Sequence, residues 1–139
     1  MELLTPALRA ALRAALRANA TSAGLPGYDP APVLKLFNPV GHATWLATEL
    51  DDDGDVLFGL ADLGFGCPEL GYFSLCELAR VRLPFGLGIE RDIGFASDFP
   101  LSRWAHAARV TGSILRAEAI LRRENPAPDL ELSSDPTDG

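Results

Sequence analysis

The sequence predicts an α+β fold: a four- to five-stranded antiparallel sheet flanked by an N-terminal helix and a C-terminal helical region. Three observations predict it. Leu8, Leu12 and Leu16 recur every four residues in an alanine-rich opening segment, which is the spacing of one helical stripe. The centre of the chain holds short apolar runs separated by turn residues, as in Asp51-Asp52-Asp53-Gly54. From Asp98 to Glu124 the composition becomes helical again. With 139 residues, 47% of them hydrophobic, the chain can build one core. Residues 1–124 are therefore expected to form a single α+β domain, and 125–139 an acidic, proline-containing disordered tail.

Thr5-Pro6 opens the first helix with a hydroxyl cap and a proline at the first helical position. That helix should end between Asn19 and Gly24. Leu25 to Pro32 holds three prolines and a glycine and reads as a connector. Strands follow at 33–37, 43–50, 55–61 and 69–73, the first two joined by the turn Asn38-Pro39-Val40-Gly41. Val56, Phe58 and Leu60 should share one face of the third strand. Ser74 with Glu77 forms a capping box for a short helix from Leu75 to about Val81, which would put Cys76 in the core. A fifth strand is expected over 89–95, with Ile89, Arg91, Ile93 and Phe95 on an apolar face and Glu90 and Asp92 on a polar one. Gly112 is placed to interrupt the final helical region. Both helical parts are expected on one face of the sheet.

The charge is unevenly distributed. The net charge is −7. Residues 49–98 carry Glu49, Asp51, Asp52, Asp53, Asp55, Asp62, Glu69, Glu77, Glu90, Asp92 and Asp98 against Arg80, Arg82 and Arg91, a net of −8. The first helix is basic through Arg9, Arg13 and Arg17, and 100–124 through Arg103, Arg109, Arg116, Arg122 and Arg123. An acidic centre argues against direct binding of nucleic acid by the sheet and suits a surface that competes with it. No apolar run reaches the roughly 20 residues of a membrane span, and no signal peptide opens the chain, so a cytoplasmic protein without a membrane partner is expected. Cys67 and Cys76 are then free thiols.

Four stretches carry a family resemblance: Thr44-Trp45-Leu46-Ala47-Thr48-Glu49, Phe58-Gly59-Leu60, Glu69-Leu70-Gly71-Tyr72-Phe73-Ser74-Leu75, and Pro84-Phe85-Gly86-Leu87-Gly88-Ile89-Glu90-Arg91-Asp92. With Leu3-Leu4-Thr5 they span about two thirds of the chain. The chain resembles a bacterial domain family of unknown function whose members tend to be encoded on plasmids, integrated conjugative elements and phages. Members usually have proline where this chain has Gly88, and usually end soon after Phe95. The resemblance implies an accessory role on a mobile element and brings no catalytic residue.

No motif points to a reaction, and no cofactor is implied. The acidic hairpin resembles the start of a calcium loop, but its twelfth position is Leu60, not a bidentate carboxylate. His42 and His106 lie far from each other and from the cysteines, without the short ligand spacing of a zinc site, so no metal is expected. The glycine pairs at 64–66 and 86–88 lack the lysine-serine ending of a phosphate loop. The candidate binding residues are Glu49, Asp51, Asp52, Asp53, Asp55, Glu69, Tyr72, Glu90, Arg91 and Asp92. Arg91, on an apolar face, requires a partner. Glu49, sharing a face with Trp45, and Glu69 are the candidates. The leading expectation is a non-enzymatic, possible anti-defence protein that binds a host protein with a basic surface through an acidic centre facing away from the helices. Two alternatives stand beside it: a small hydrolase or nuclease-like enzyme using Glu49, Glu69, Glu90 or Asp92, and an oligomerisation module built on the alanine-leucine helix.

Overall fold

A computed structural model describes residues 2–22 and 28–124, the backbone alone at 20–22. The expected tail, and part of the connector, lie outside the described residues. Five strands form one antiparallel sheet: β1 (Leu34–Phe37), β2 (Thr44–Leu50), β3 (Val56–Asp62), β4 (Glu69–Ser74) and β5 (Glu90–Arg91), in the order β4-β3-β2-β1-β5. The helices are α1 (Pro6–Ser22), α2 (Leu75–Ala79), α3 (Leu101–Thr111) and α4 (Ile114–Glu124). A 3-10 turn at Pro84–Gly86 precedes β5.

The helices cover opposite faces of the sheet, not one. On the first face Leu12 of α1 meets Leu34, Leu36, Trp45, Leu50 and Leu57, joined by Leu3, Leu4, Leu78 and Ile89. On the second face Leu101, Trp104, Ala105, Ala108, Ile114, Ala117 and Leu121 of α3 and α4 close over Leu46 and Leu60. The reason is legible in β2, where all seven residues are buried. A central strand with apolar residues at successive positions, Trp45-Leu46-Ala47, needs cover on both sides. Because α1 lays its leucine stripe on the sheet, that stripe is not free for oligomerisation.

Local chemistry sets the helix ends. The Leu8 N–H donates to the Thr5 hydroxyl at 3.1 Å, and the Glu77 N–H to the Ser74 hydroxyl at 3.1 Å. Gly112, at φ 86°, ends α3 in the left-handed conformation that glycine adopts without strain, and its N–H donates to the Ala108 carbonyl. Cys76, on the outer side of α2, is exposed rather than core; both cysteines are free and exposed.

Two departures from simple alternation reposition side chains. The β2–β3 register shifts between Ala47 and Glu49. This bulge turns Glu49 onto the α3–α4 face, opposite to Trp45. The second departure truncates β5. Its pairing with β1 ends at Arg91, where the Gly94 N–H donates to the Asp92 carboxylate at 3.2 Å and the Phe95 N–H to the Asp92 carbonyl at 3.2 Å. That turn leaves Ile93 exposed and sends Phe95 against the second core, so the expected common face of 89–95 stops at Arg91.

Candidate functional site

The acidic hairpin between β2 and β3 is partly answered from within the molecule. Asp51 and Asp52 are exposed. The Asp53 carboxylate accepts from the Asp55 and Val56 N–H groups at 2.8 and 3.0 Å, which, with Arg13 nearby, lowers its pKa below the ordinary aspartate value. Asp55 accepts from the Ser74 hydroxyl and from the Cys76 N–H, each at 2.7 Å, and so caps α2. Arg9 donates to the Gly54 carbonyl at 3.2 Å. The tip therefore faces the arginines of α1 instead of pointing away from the helices.

Arg91 lies on the α1 face beside Leu36, as its strand register requires. Its guanidinium donates to the Glu2 and Leu3 carbonyls at 3.0 and 3.1 Å. The expected partners do not reach it: Glu49 is on the other face, and Glu69 is exposed on β4 at the far edge. Asp92 does not project freely with Glu90. It pairs with Lys35 at 3.4 Å, and Lys35 also meets Glu118 of α4 at 2.8 Å. Glu69 and Glu90 therefore stand at opposite edges of the sheet, and the carboxylates weighed for hydrolysis do not converge. Among the described residues no group of three or more His, Cys, Asp or Glu is placed to hold a metal ion.

Glu90, Arg91 and Asp92 do line one open pocket of about 620 Å³ with Lys35, and Glu49 lines a second, smaller one beside an open surface. The α3–α4 layer covers β1, β2 and the centre of the sheet but leaves β4 largely uncovered. Leu70 is 42% and Tyr72 76% exposed. The Tyr72 ring lies against Phe58, with centroids 5.1 Å apart. Across β3 from Tyr72, Glu49 pairs with Phe58 and is only 8% exposed. It sits in a cavity of about 210 Å³ lined also by Asn19, Tyr28, Asp29, Leu70 and Ser102. Burial pushes the Glu49 carboxyl above its ordinary pKa, opposed by a hydrogen bond with Asn19. Burial and the Glu49 charge also raise the Tyr28 phenol, which donates to the Ala15 carbonyl at 3.1 Å. Asp29 accepts from the N–H and hydroxyl of Ser102 and caps α3.

Sequence reasoning missed several participants. Lys35, buried beneath α4, lies in a strand whose neighbours are apolar, and its partners are 57 and 83 positions away. Asp62, fully buried, accepts from the Gly64 and Ile114 N–H groups at 2.8 and 2.9 Å and anchors the start of α4. Phe85 holds φ 66° while 89% exposed, a conformation costly for a bulky side chain. Tyr28 and Asp29 fall in a segment whose prolines mark it only as a connector.

No helix among the described residues is long and apolar enough to cross a membrane. No curated protein and no solved structure matches the chain. A protein family described as "Protein of unknown function (DUF2958)" matches residues 3–115. That match runs past Phe95 through the whole of α3, so this helix is part of the family's common region and not an extension of it. With most of its length covered, from Leu3 to the first residues of α4, the chain belongs to the DUF2958 family.

Proposed function

We propose that the protein is a non-enzymatic binding module that acts on another protein, and that its contact surface is the uncovered β3–β4 face rather than the acidic hairpin tip. The observation that carries this reading is the exposure of Leu70 and Tyr72 beside Phe58, on the face that α3 and α4 cover elsewhere. Exposed aromatic and aliphatic side chains on an edge strand suit a protein interface. The resemblance to families carried on plasmids, conjugative elements and phages supplies the partner class, a host protein, and an accessory or anti-defence role. The exposed carboxylates Asp51, Asp52 and Glu69 lie toward the α1 side of the sheet and not on this face, so their charge acts at longer range, favouring approach of a partner with a basic surface and disfavouring nucleic acid.

The test is an affinity capture from nuclease-treated host lysate at low and high salt. Wild type is compared with a Leu70→Ser/Tyr72→Ser variant and with an Asp51→Asn/Asp52→Asn variant. The expected result is a specific partner lost with the apolar pair, and held less tightly at high salt, where the Debye length falls to about 3 Å at 1 M. Equal retention by wild type and the Leu70→Ser/Tyr72→Ser variant, or a shift of DNA by the wild type at physiological salt, overturns the proposal.

A further inference from the structure

The buried ionisable groups on the α3–α4 face are treated differently by the fold. Lys35 is answered by two carboxylates, and Asp62 by two backbone N–H groups. Glu49 is as buried as Lys35, yet among the described residues it has no ion pair, only the Asn19 amide beside it. A buried carboxylate with so little compensation costs stability. The bulge at Ala47–Glu49 is what delivers it into the cavity, where regular alternation would have turned it toward α1. Bulges commonly re-aim a side chain in this way at binding sites.

We propose that Glu49 is the recognition carboxylate for an arginine or lysine side chain of the partner, carried on a segment whose flanking apolar residues lie on Phe58, Leu70 and Tyr72. This rests on the protein-binding reading above and names the chemistry its partner must present. A carboxylate in the cavity lining selects a cation and rejects phosphate. The apolar and aromatic walls suit a long cationic side chain, whose aliphatic stem packs while its head reaches the acid. The Phe58 ring, which lines the cavity and has Tyr72 tilted against it, adds cation–π attraction. A free small cation would satisfy Glu49 but would leave Leu70 and Tyr72 exposed, which is why a protein segment is the better occupant. The raised pKa of Glu49 agrees with a site completed by its ligand, because a bound guanidinium would restore the charged form.

The test uses the full chain, labelled with ¹⁵N, titrated with the acetylated and amidated tripeptide leucyl-arginyl-leucine. The same peptide with citrulline in place of arginine, and acetyl-arginine methylamide, serve as controls. The expected result is saturable shifts of the amides at Glu49, Phe58, Leu70 and Tyr72, with affinity at least about tenfold weaker for the citrulline peptide, for acetyl-arginine methylamide and for the Glu49→Gln variant. Glu49→Gln keeps the side chain's size and removes a buried charge, so it should fold; its melting curve checks this. Several outcomes overturn the proposal: equal binding of the arginine and citrulline peptides, shifts confined to Asp51–Asp53, no saturation below about 10 mM, or arginine methylamide binding as tightly as the tripeptide. Capture of a partner by wild type and Glu49→Gln alike, but not by Leu70→Ser/Tyr72→Ser, sinks this inference and leaves the binding reading standing. Peptide binding at Glu49 with no host protein captured does the reverse.

Discussion

Glu49 sits where neither helix propensity nor strand alternation explains it, and its protonation links the pocket to folding. Its carboxyl titrates above the ordinary value of 4.5 because burial disfavours the charged form. The sign follows directly. Between the unfolded and the raised folded pKa the folded chain holds a proton that the unfolded chain has lost, so stability falls as pH rises through that window. The penalty is complete above the folded pKa and absent below the unfolded value. Glu49→Gln should therefore raise the urea midpoint at pH 7, with the gain shrinking toward zero near pH 4. Urea titrations of both proteins across that range measure it. A difference independent of pH would place the carboxylate in solvent. The pairing of a costly residue with a candidate site is the usual trade between stability and activity. At this scale the sequence was informative about types and not about positions. Glu49 and Tyr72 were legible as candidates, and they do line up across Phe58. Asp55 was legible only as charge, although its carboxylate is a helix cap, because the Ser74 and Cys76 groups it binds lie on another element.

Element by element, four of five strands and all the helices follow from turn residues, caps and periodicity. What alternation could not supply was parity beyond an irregularity. One extra residue in β2 reverses the facing of everything after it, so Glu49, placed beside Trp45 by counting, lies on the other side. The signal that could have revealed the bulge is Gly59. A Cβ at that position would stand 1.8 Å from the Leu46 carbonyl oxygen and 2.8 Å from the Ala47 Cα. Both are backbone atoms of the neighbouring strand and cannot swing aside. Phe58-Gly59-Leu60 is one of the stretches that carry the family resemblance, and the close approach of β2 is the physical reason for its glycine. Gly59→Ala should destabilise the fold by about 3 kcal/mol, at the upper end of overpacking costs. Guanidinium denaturation reads this directly, and Gly71→Ala is the control. Gly71 lies opposite Gly59 on β4, but a Cβ at Gly71 would have nothing within 4 Å. Glycine entropy alone would make both alanine variants more stable, so equal losses for the two would mean that the close approach of β2 to Gly59 does not set the cost.

At the scale of the molecule the sheet joins two cores that share no side chain, and this could not be read from the sequence. Apolar content told that a core would form, not that β2 would be buried from both sides. The two tryptophans happen to report on the two halves. Trp45 belongs to the α1 core, 6% exposed, and Trp104 to the α3–α4 core, 3% exposed, its indole N–H donating to the Ser97 hydroxyl at 2.9 Å. Several connections tie the halves together. Leu46, facing α3 and α4, lies between Trp45 and Ala47, which face the α1 core. Lys35 pairs with Glu118 of α4, while Leu34 and Leu36 on either side of it pack toward α1. Asp62 at the end of β3 holds the start of α4. Removing either helical layer would expose a strand face that is otherwise dry, so neither half is expected to persist without the other. Single-tryptophan variants, Trp45→Phe and Trp104→Phe, are expected to unfold in urea with one transition each. Each midpoint by fluorescence should coincide with that variant's own midpoint by far-ultraviolet circular dichroism. Coincidence in both proteins shows one cooperative unit. If fluorescence of Trp104 in the Trp45→Phe protein changes at lower urea than its circular dichroism, the α3–α4 layer separates first. The groove between α3 and β4 would then open before the sheet does, and ligands at Glu49 would have to stabilise the docked layer selectively.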